Sequence, residues 1–388
     1  MESLPQKIFG RGNVSRFLGR FFSVDWVLLG AIVPLLAYGL LTMNSFGGEN
    51  RFFEKQLIWI GVSLLVFFVF ALFDFRFLRR SGVIVSLYLG IIAILTLLFG
   101  MGAVFKGAQS WFNVGLFTIQ PSDPAKLILI LVLSKYFSRR HMEIAHIRHI
   151  LISGFYTLIL FLLVLVQPDF GSAVILACIW FGMVLVSGIS KKHLVLVFGL
   201  AIMAGIFSWT YVFQDYQKTR ILTFLNPLAD VRGAGYNAYQ STIAVGSGQL
   251  FGKGIGYGTQ SKHRFLPEYE TDFIFAAFAE EWGYLGVLIL FLLFGIVIFR
   301  ILQNAVHGGT NFEMFFGAGL AILFMSHFIL HVGINLGLLP VTGTTIPFLS
   351  YGGSHLITEF AGLGILMGMR KYSRGVHRED IKNEFLGI

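Results

Sequence analysis

The sequence predicts an all-α polytopic membrane protein of about ten transmembrane helices, with one long extracytoplasmic loop between the seventh and eighth. Three observations carry that prediction. Apolar residues make up 56% of the 388 and charged residues only 13%, with 42 phenylalanines, whereas soluble domains are roughly 25% charged. Apolar runs of about 20 residues, the length that crosses a hydrocarbon core of about 30 Å, recur along the chain. Lysine and arginine gather in alternate connections between those runs.

Taken in order, residues 1–25 form a basic, amphipathic lead-in to the first span. No small-x-small cleavage site separates the two, so the first span reads as an uncleaved anchor. Seven spans follow within residues 26–213, at about 26–44, 56–73, 82–100, 122–138, 149–167, 171–188 and 193–213. Residues 214–272 make the long polar loop. Three more spans, about 273–299, 314–336 and 351–369, fill residues 273–370 before a tail at 371–388. The tenth is the most polar, since it carries His355 and Glu359.

With the N-terminus inside, 19 of the 29 Lys and Arg fall on the inner side, including Arg11, Arg76, Arg79, Lys135, Lys192, Arg300 and Arg370. This is the positive-inside pattern. It places both termini in the cytoplasm and the long loop outside. The net charge of +9 is therefore topology signal and attraction to anionic membrane lipid, with no nucleic-acid motif beside it. Cys178 is the one cysteine, so no internal disulfide framework exists. The run GSGQLFGKGIGYG, Gly246–Gly258, does not satisfy G-x-G-x-x-G and follows no strand. Its glycines read as tight turns against the membrane surface.

Three constellations fall on the outer side. In QPSDPAK, Gln120–Lys126, Asp123 before Pro124 suits a helix N-cap with proline at the first helical position. Lys126 lies three residues on, within pairing reach. The spacing fits a capped helix with an ion pair, and equally a cation kept for a phosphate group. In QPDFGS, Gln167–Ser172, Asp169 stands where it would cap the sixth helix. The third is the loop that ends in FLPEYETDFIFAAFAEEWG, Phe265–Gly283, which drives Asp272 into the mouth of a span. Ionisable groups at such places are functional candidates by default. At about 100° per residue, Glu280 and Glu281 lie roughly 80° and 180° around from Asp272, so they read as polar residues bonded inside the bundle.

Together these motifs resemble the SEDS family (shape, elongation, division and sporulation), the membrane-embedded peptidoglycan glycosyltransferases. The likeness covers nearly the whole chain. It rests on KQLIW (55–59), KGAQSWFNVG (106–115), QPSDPAK, QPDFGSA, GAGYNAYQS (233–241), GTQSKHRFLPEYETDFIFAAFAEEWG (258–283) and GLLPVTGTTIPFLSYGGS (337–354). The motifs LPVTG, GSG..GKG and GTQS are closer to the rod-shape elongation branch than to the division branch.

The resemblance implies a bacterial cytoplasmic-membrane enzyme that polymerises lipid II, the undecaprenyl-diphosphate-linked disaccharide, on the outer face. It also implies a class B penicillin-binding protein, a transpeptidase, as partner. Asp272 matches the family's essential aspartate, Asp123 and Lys126 its acid–x–x–Lys pair, and Asp169 its Q-P-D aspartate. With these, Lys55, Arg220, Lys253, Gln260 and Ser350 complete the expected substrate-binding set. The sequence departs from the family in having Asp123 for Glu, followed by Pro124, Ser110 for Arg and Lys55 for Arg. These differences bear on phosphate contacts and leave Asp272 untouched.

The implied chemistry suits the residues. A carboxylate within hydrogen-bond reach of an acceptor hydroxyl can take its proton, and an ordinary aspartate, with a pKa of about 4, is ionised at neutral pH. Attack opposite the leaving group inverts the anomeric centre. The departing diphosphate needs positive charge from lysine, arginine or a divalent cation, Mg2+ or Mn2+, and Asp272 could hold such an ion instead of acting as base. A lipid II flippase would share the spans and buried carboxylates, and a scaffold for a partner synthase would share the spans. The gathering of polar motifs at one side favours the enzyme.

Overall fold

The computed structural model describes residues 24–45, 51–101, 103–105, 108–114, 117–139, 147–212, 215–226, 234–263, 265–266 and 268–373. The basic lead-in with Arg11, the motif residues Lys106, Gly107 and Gly233, and the tail beyond Ser373 lie outside the described residues.

Ten long helices occupy the ten predicted positions: α1 Trp26–Ser45, α2 Arg51–Leu72, α3 Ser81–Met101, α4 Ser122–Ser138, α5 Ile147–Val166, α6 Phe170–Val186 and α7 Lys191–Phe207, then, beyond the long loop, α11 Ile274–Val306, α12 Asn311–Asn335 and α13 Gly353–Ser373. Among the described residues, six of them are long and apolar enough to cross a membrane by length and composition: α1, α2, α3, α5, α11 and α12. The other four are shorter, or, like α13 with His355 and Glu359, more polar. In α4, α6 and α13 the buried faces still carry leucine and isoleucine.

The segment 214–272 is not one continuous loop. It folds into α8 Asp215–Leu225, α9 Ala234–Ser247 and the single turn α10 Thr259–Lys262. The connection between α3 and α4 holds a small antiparallel sheet, β1 Ala103–Phe105, β2 Ala108–Val114 and β3 Phe117–Ile119, in the order β1-β2-β3. Phe112 pairs with Ile119 and Val114 with Phe117. Ser110 is buried, and Trp111 and Phe112, on opposite faces of the strand, are half-buried.

Helix α12 lies at the centre, against α4, α6, α11 and α13. Its Phe316 and Phe324 are fully buried, and Phe324 meets Phe348 edge-on, with Phe360 of α13 behind it. On α2, α3 and α5, apolar side chains also face outward, among them Ile58, Leu65, Leu89, Leu97 and Phe155. A helix hydrophobic all round belongs in lipid or in a deep core.

Charges close the end of the bundle away from the N-terminus of α11. Asp25 caps α1 by accepting from Leu28 N at 3.1 Å, and it pairs with Arg300 at 2.7 Å and Asn304 at 2.8 Å. Arg370 stands 3.6 Å from the same carboxylate, and Arg79 pairs with Glu313 at 2.7 Å. Burial pushes the Asp25 carboxyl up, but the hydrogen bonds from Arg300, Asn304 and Leu28 outweigh it and leave it below its ordinary value.

Candidate active site

At the other end, the motifs converge through backbone and side-chain bonds between elements distant in sequence. Asp272 does not belong to α11. It sits in the turn before it, with its N–H donating to Glu268 O at 3.0 Å, and the helix begins at Ile274. The helical angles from Asp272 to Glu280 and Glu281 therefore do not apply, although both acids are bonded inside the protein as expected. The half-buried Asp272 carboxylate faces the loop that joins α12 to α13. A methyl group on Gly343 would stand 3.4 Å from Asp272 Oδ2.

The α12–α13 loop also receives the other predicted pieces. Arg220, exposed on α8, donates to Val341 O at 3.4 Å. It lines a crevice with Phe170, Gln217, Ile221, Pro340 and Thr342. Gly171 of QPDFGS lies so close to Thr342 that a Cβ would come within 2.7 Å of its carbonyl oxygen. Ser350 is buried, and its hydroxyl donates to Thr271 O at 2.9 Å, while Tyr351 N donates to Glu270 O at 2.9 Å. Ser350 thus ties the loop to the turn that carries Asp272. Lys55 is exposed at the start of the second turn of α2. Its neighbour Gln56 reaches Ser350 O at 3.1 Å and accepts from Gly352 N at 3.4 Å.

Asp123 is not an N-cap. Helix α4 begins at Ser122 with Pro121 in the cap position, two residues earlier than the Asp-Pro pattern suggests. Pro124 still falls in the first turn, where a missing N–H costs nothing. The Asp123 carboxylate turns inward, 3.0 Å from Lys126 Nζ and 3.4 Å from His355 Nδ1. His355 Nε2 lies 2.9 Å from Glu359 Oε1, and the His355 ring is 4.6 Å from that of His327. Asp123 and Lys126 are both only 3% exposed, so the Lys126 ammonium does not reach the surface.

Asp169 caps α6, accepting from Ser172 N at 3.1 Å. Its second oxygen takes Gln120 Nε2 at 2.7 Å and Ser122 Oγ at 3.0 Å, which locks QPDFGS to QPSDPAK. Ser110, where the resemblance expects arginine, is buried on β2 and donates to Gln167 O at 2.8 Å.

The glycine-rich run packs against a helix. Helix α11 is broken at Gly283, whose φ of 64° and ψ of −169° leave the helical region. The segment 249–254 inserts at the break. Lys253 N and Gly254 N donate to Glu280 O and Glu281 O, while Tyr284 N and Leu285 N donate to Gln249 O and Leu250 O. A Cβ on Gly252 would lie 2.1 Å from Glu281 O, a separation only glycine permits. Lys253 Nζ pairs with the buried Glu280 at 2.6 Å, and Glu280 also accepts from Thr259 N at 3.0 Å and Gln260 N at 3.1 Å. Glu281 accepts from Ser45 Oγ of α1 and from Gly256 N. Gln260 meets this network through its backbone.

Sequence reasoning missed Gln56, Gln120, His327, His331 and Asn335. Their signal was present, since each is a polar residue within or beside an apolar run. Among the described residues, no three acidic, histidine or cysteine side chains converge as a metal site.

Residues 18–375 match the profile of the cell cycle protein family of FtsW, RodA and SpoVE. The chain is 34% identical over 355 residues to the peptidoglycan glycosyltransferase MrdB of Escherichia coli K12, covering 90% of this chain and 94% of that one. It superposes with a TM-score of 0.77 and 29% identity on a chain from a peptidoglycan synthase complex that coordinates polymerization and crosslinking, over 90% of this chain and 98% of that one. The rod shape determining protein RodA of Thermus thermophilus superposes with a TM-score of 0.68 and 28% identity, over 90% and 97%. Motifs, fold and relatives agree: the chain belongs to the SEDS family.

Proposed function

We propose that this protein is a peptidoglycan glycosyltransferase of the elongation type, which extends glycan strands from lipid II with Asp272 as the general base. The observation that carries the reading is the meeting of Asp272, the α12–α13 loop and Arg220 at one corner. There a half-buried carboxylate, fixed by its backbone, and an exposed guanidinium meet the same loop, at Gly343 and Val341. The likeness to MrdB supports the reaction, and that to the rod shape determining protein RodA supports the elongation role.

In the reaction, the acceptor hydroxyl oxygen bonds to the anomeric carbon as the bond to the lipid diphosphate breaks. The diphosphate leaves with the electron pair, the hydroxyl proton passes to Asp272, and the centre inverts. Of the cations expected from the sequence, Arg220 and Lys55 are exposed and suited to the diphosphate. Lys126 and Lys253 are held in ion pairs with Asp123 and Glu280. A divalent cation, Mg2+ or Mn2+, would add charge stabilisation to the leaving group. Magnesium is bound through one or two carboxylates plus substrate phosphates, so Asp272 is the side chain that would hold it, in place of acting as the base.

The cations Arg76, Arg79, Arg300 and Arg370 belong to the end of the bundle away from Asp272. The positive-inside rule then puts that end and both termini in the cytoplasm, with the 214–272 segment and the active site outside. A class B penicillin-binding protein is the partner on this reading, supported by the synthase complex that the chain resembles. Oriented proteoliposomes with labelled lipid II in one leaflet test the reading. Glycan product is expected only when lipid II shares the leaflet with residues 214–272. Translocation of label without glycan product would replace the enzyme with a transporter.

A further inference from the structure

We propose that Asn335, the last residue of α12, is the positioning residue that sets Asp272 in place. The inference rests on Asp272 being the base. Asn335 is fully buried, and its side-chain amide bonds in two directions. Nδ2 donates to Asp272 O at 3.0 Å and to His331 O at 2.8 Å, while Oδ1 accepts from Ala276 N at 3.1 Å.

Each of these bonds answers a local need. The first N–H groups of a helix have no partner inside it, and Phe273, at the cap position of α11, supplies no side-chain cap. Asn335 Oδ1 provides one from another helix. The same amide then holds the carbonyl of Asp272 through Nδ2. A single side chain thus fixes both the start of α11 and the residue two places before it. Asparagine carries a donor and an acceptor on one short planar group, which leucine, serine and aspartate do not.

Two neighbours brace this junction. Ser241 of α9 donates to Asn335 O at 2.8 Å. One turn back on α12, His331 Nδ1 lies 2.6 Å from Thr344 O, next to Gly343, which faces the Asp272 carboxylate. The last turn of α12 therefore grips Asp272 from the backbone side and the opposing loop from the other. A misplacement of about 1 Å can cost about a hundredfold in rate, so the loss of this grip should appear in turnover.

The test compares Asn335→Ala and Asn335→Asp with wild type, measuring melting temperature and the kcat and KM for lipid II. Aspartate keeps an acceptor for Ala276 N but turns an anionic oxygen toward Asp272 O. A residue that only capped α11 would tolerate this change, because a carboxylate is favoured at a helix N-terminus. The expected result is a kcat per folded molecule at least tenfold lower for both variants, with KM within threefold. Wild-type kcat in Asn335→Asp, or a loss in Asn335→Ala that only follows the folded fraction, would overturn the proposal. If Asn335→Ala does not fold, Asn335→Asp decides alone. Asp272→Asn, assayed alongside, separates the two levels: activity retained there removes the base itself, whereas a dead Asp272→Asn beside fully active Asn335 variants removes only the positioning role.

Discussion

Asp272 and Lys126 look alike in the sequence, as charged residues beside membrane spans, and the structure gives them opposite surroundings. Asp272 is half-buried at the mouth of α11, beside a crevice, and its backbone is held by Asn335. Asp272→Asn should therefore abolish glycan-chain formation from lipid II at unchanged membrane levels, because the amide keeps the shape and cannot take the proton. Near-normal chains would remove Asp272 from the role of base. Lys126 is sealed against Asp123, with both side chains 4% exposed. Breaking one side of a buried pair costs about 3–5 kcal/mol, whereas removing both charges is often nearly neutral. Lys126→Met should lower folding yield sharply, and Asp123→Asn/Lys126→Met should recover yield and activity per folded molecule together. A well-folded double variant still at least tenfold slow would show that the ammonium serves the diphosphate. The sequence showed the i, i+3 spacing of this pair but could not show its burial. His355 and Glu359, which extend the cluster, lie more than 200 residues away.

Among the elements, helices were the most legible, because ten apolar runs could be laid against one fixed membrane thickness. The start of α4 was less so. Asp-Pro is a strong capping pattern, but the contacts of Asp123 with Lys126 and His355 draw that residue into the first turn. The glycine run was the least legible, since its partner is a break in a helix 30 residues downstream that no local pattern announces. Glu280 holds this junction together by accepting from Lys253, Thr259 and Gln260. Glu280→Gln replaces one carboxylate oxygen with an amide that must face donors. Amide hydrogen exchange across residues 253–262 should speed up at least tenfold, equivalent to about 1.4 kcal/mol of lost local stability. Unchanged exchange there would mean that the backbone bonds at the break hold the segment unaided.

Across the whole molecule, the two ends are built differently, with a hydrogen-bonded polar network around Asp272 and a compact ionic seal around Asp25. The seal has a pH signature. The Asp25 carboxyl is lowered from its ordinary 3.8, so its contribution is complete above about pH 4. It fades as the pH falls through the lowered folded value. Asp25→Asn should melt below wild type by a constant margin between about pH 5 and 8, and the margin should close in acid. A margin that persists below the folded value would assign it to packing. The break at Gly283 also gives the molecule a ruler. Helix α11 has 33 residues and runs about 50 Å, far more than a hydrocarbon core of about 30 Å. The stretch from Tyr284 to Val306 alone rises about 34 Å. Its outward-facing apolar residues begin at Tyr284, whereas Ile274 to Glu281 are all buried in protein. The nine residues from Ile274 to Trp282 set the Asp272 turn roughly 14 Å of helix beyond that outward-facing apolar stretch. A substrate tethered by its tail presents a diphosphate and then sugars at increasing height. On the proposed function, the length of that half-helix sets which bond along the substrate meets Asp272, and deleting one turn of it would shift that carboxylate by about 5 Å along the substrate.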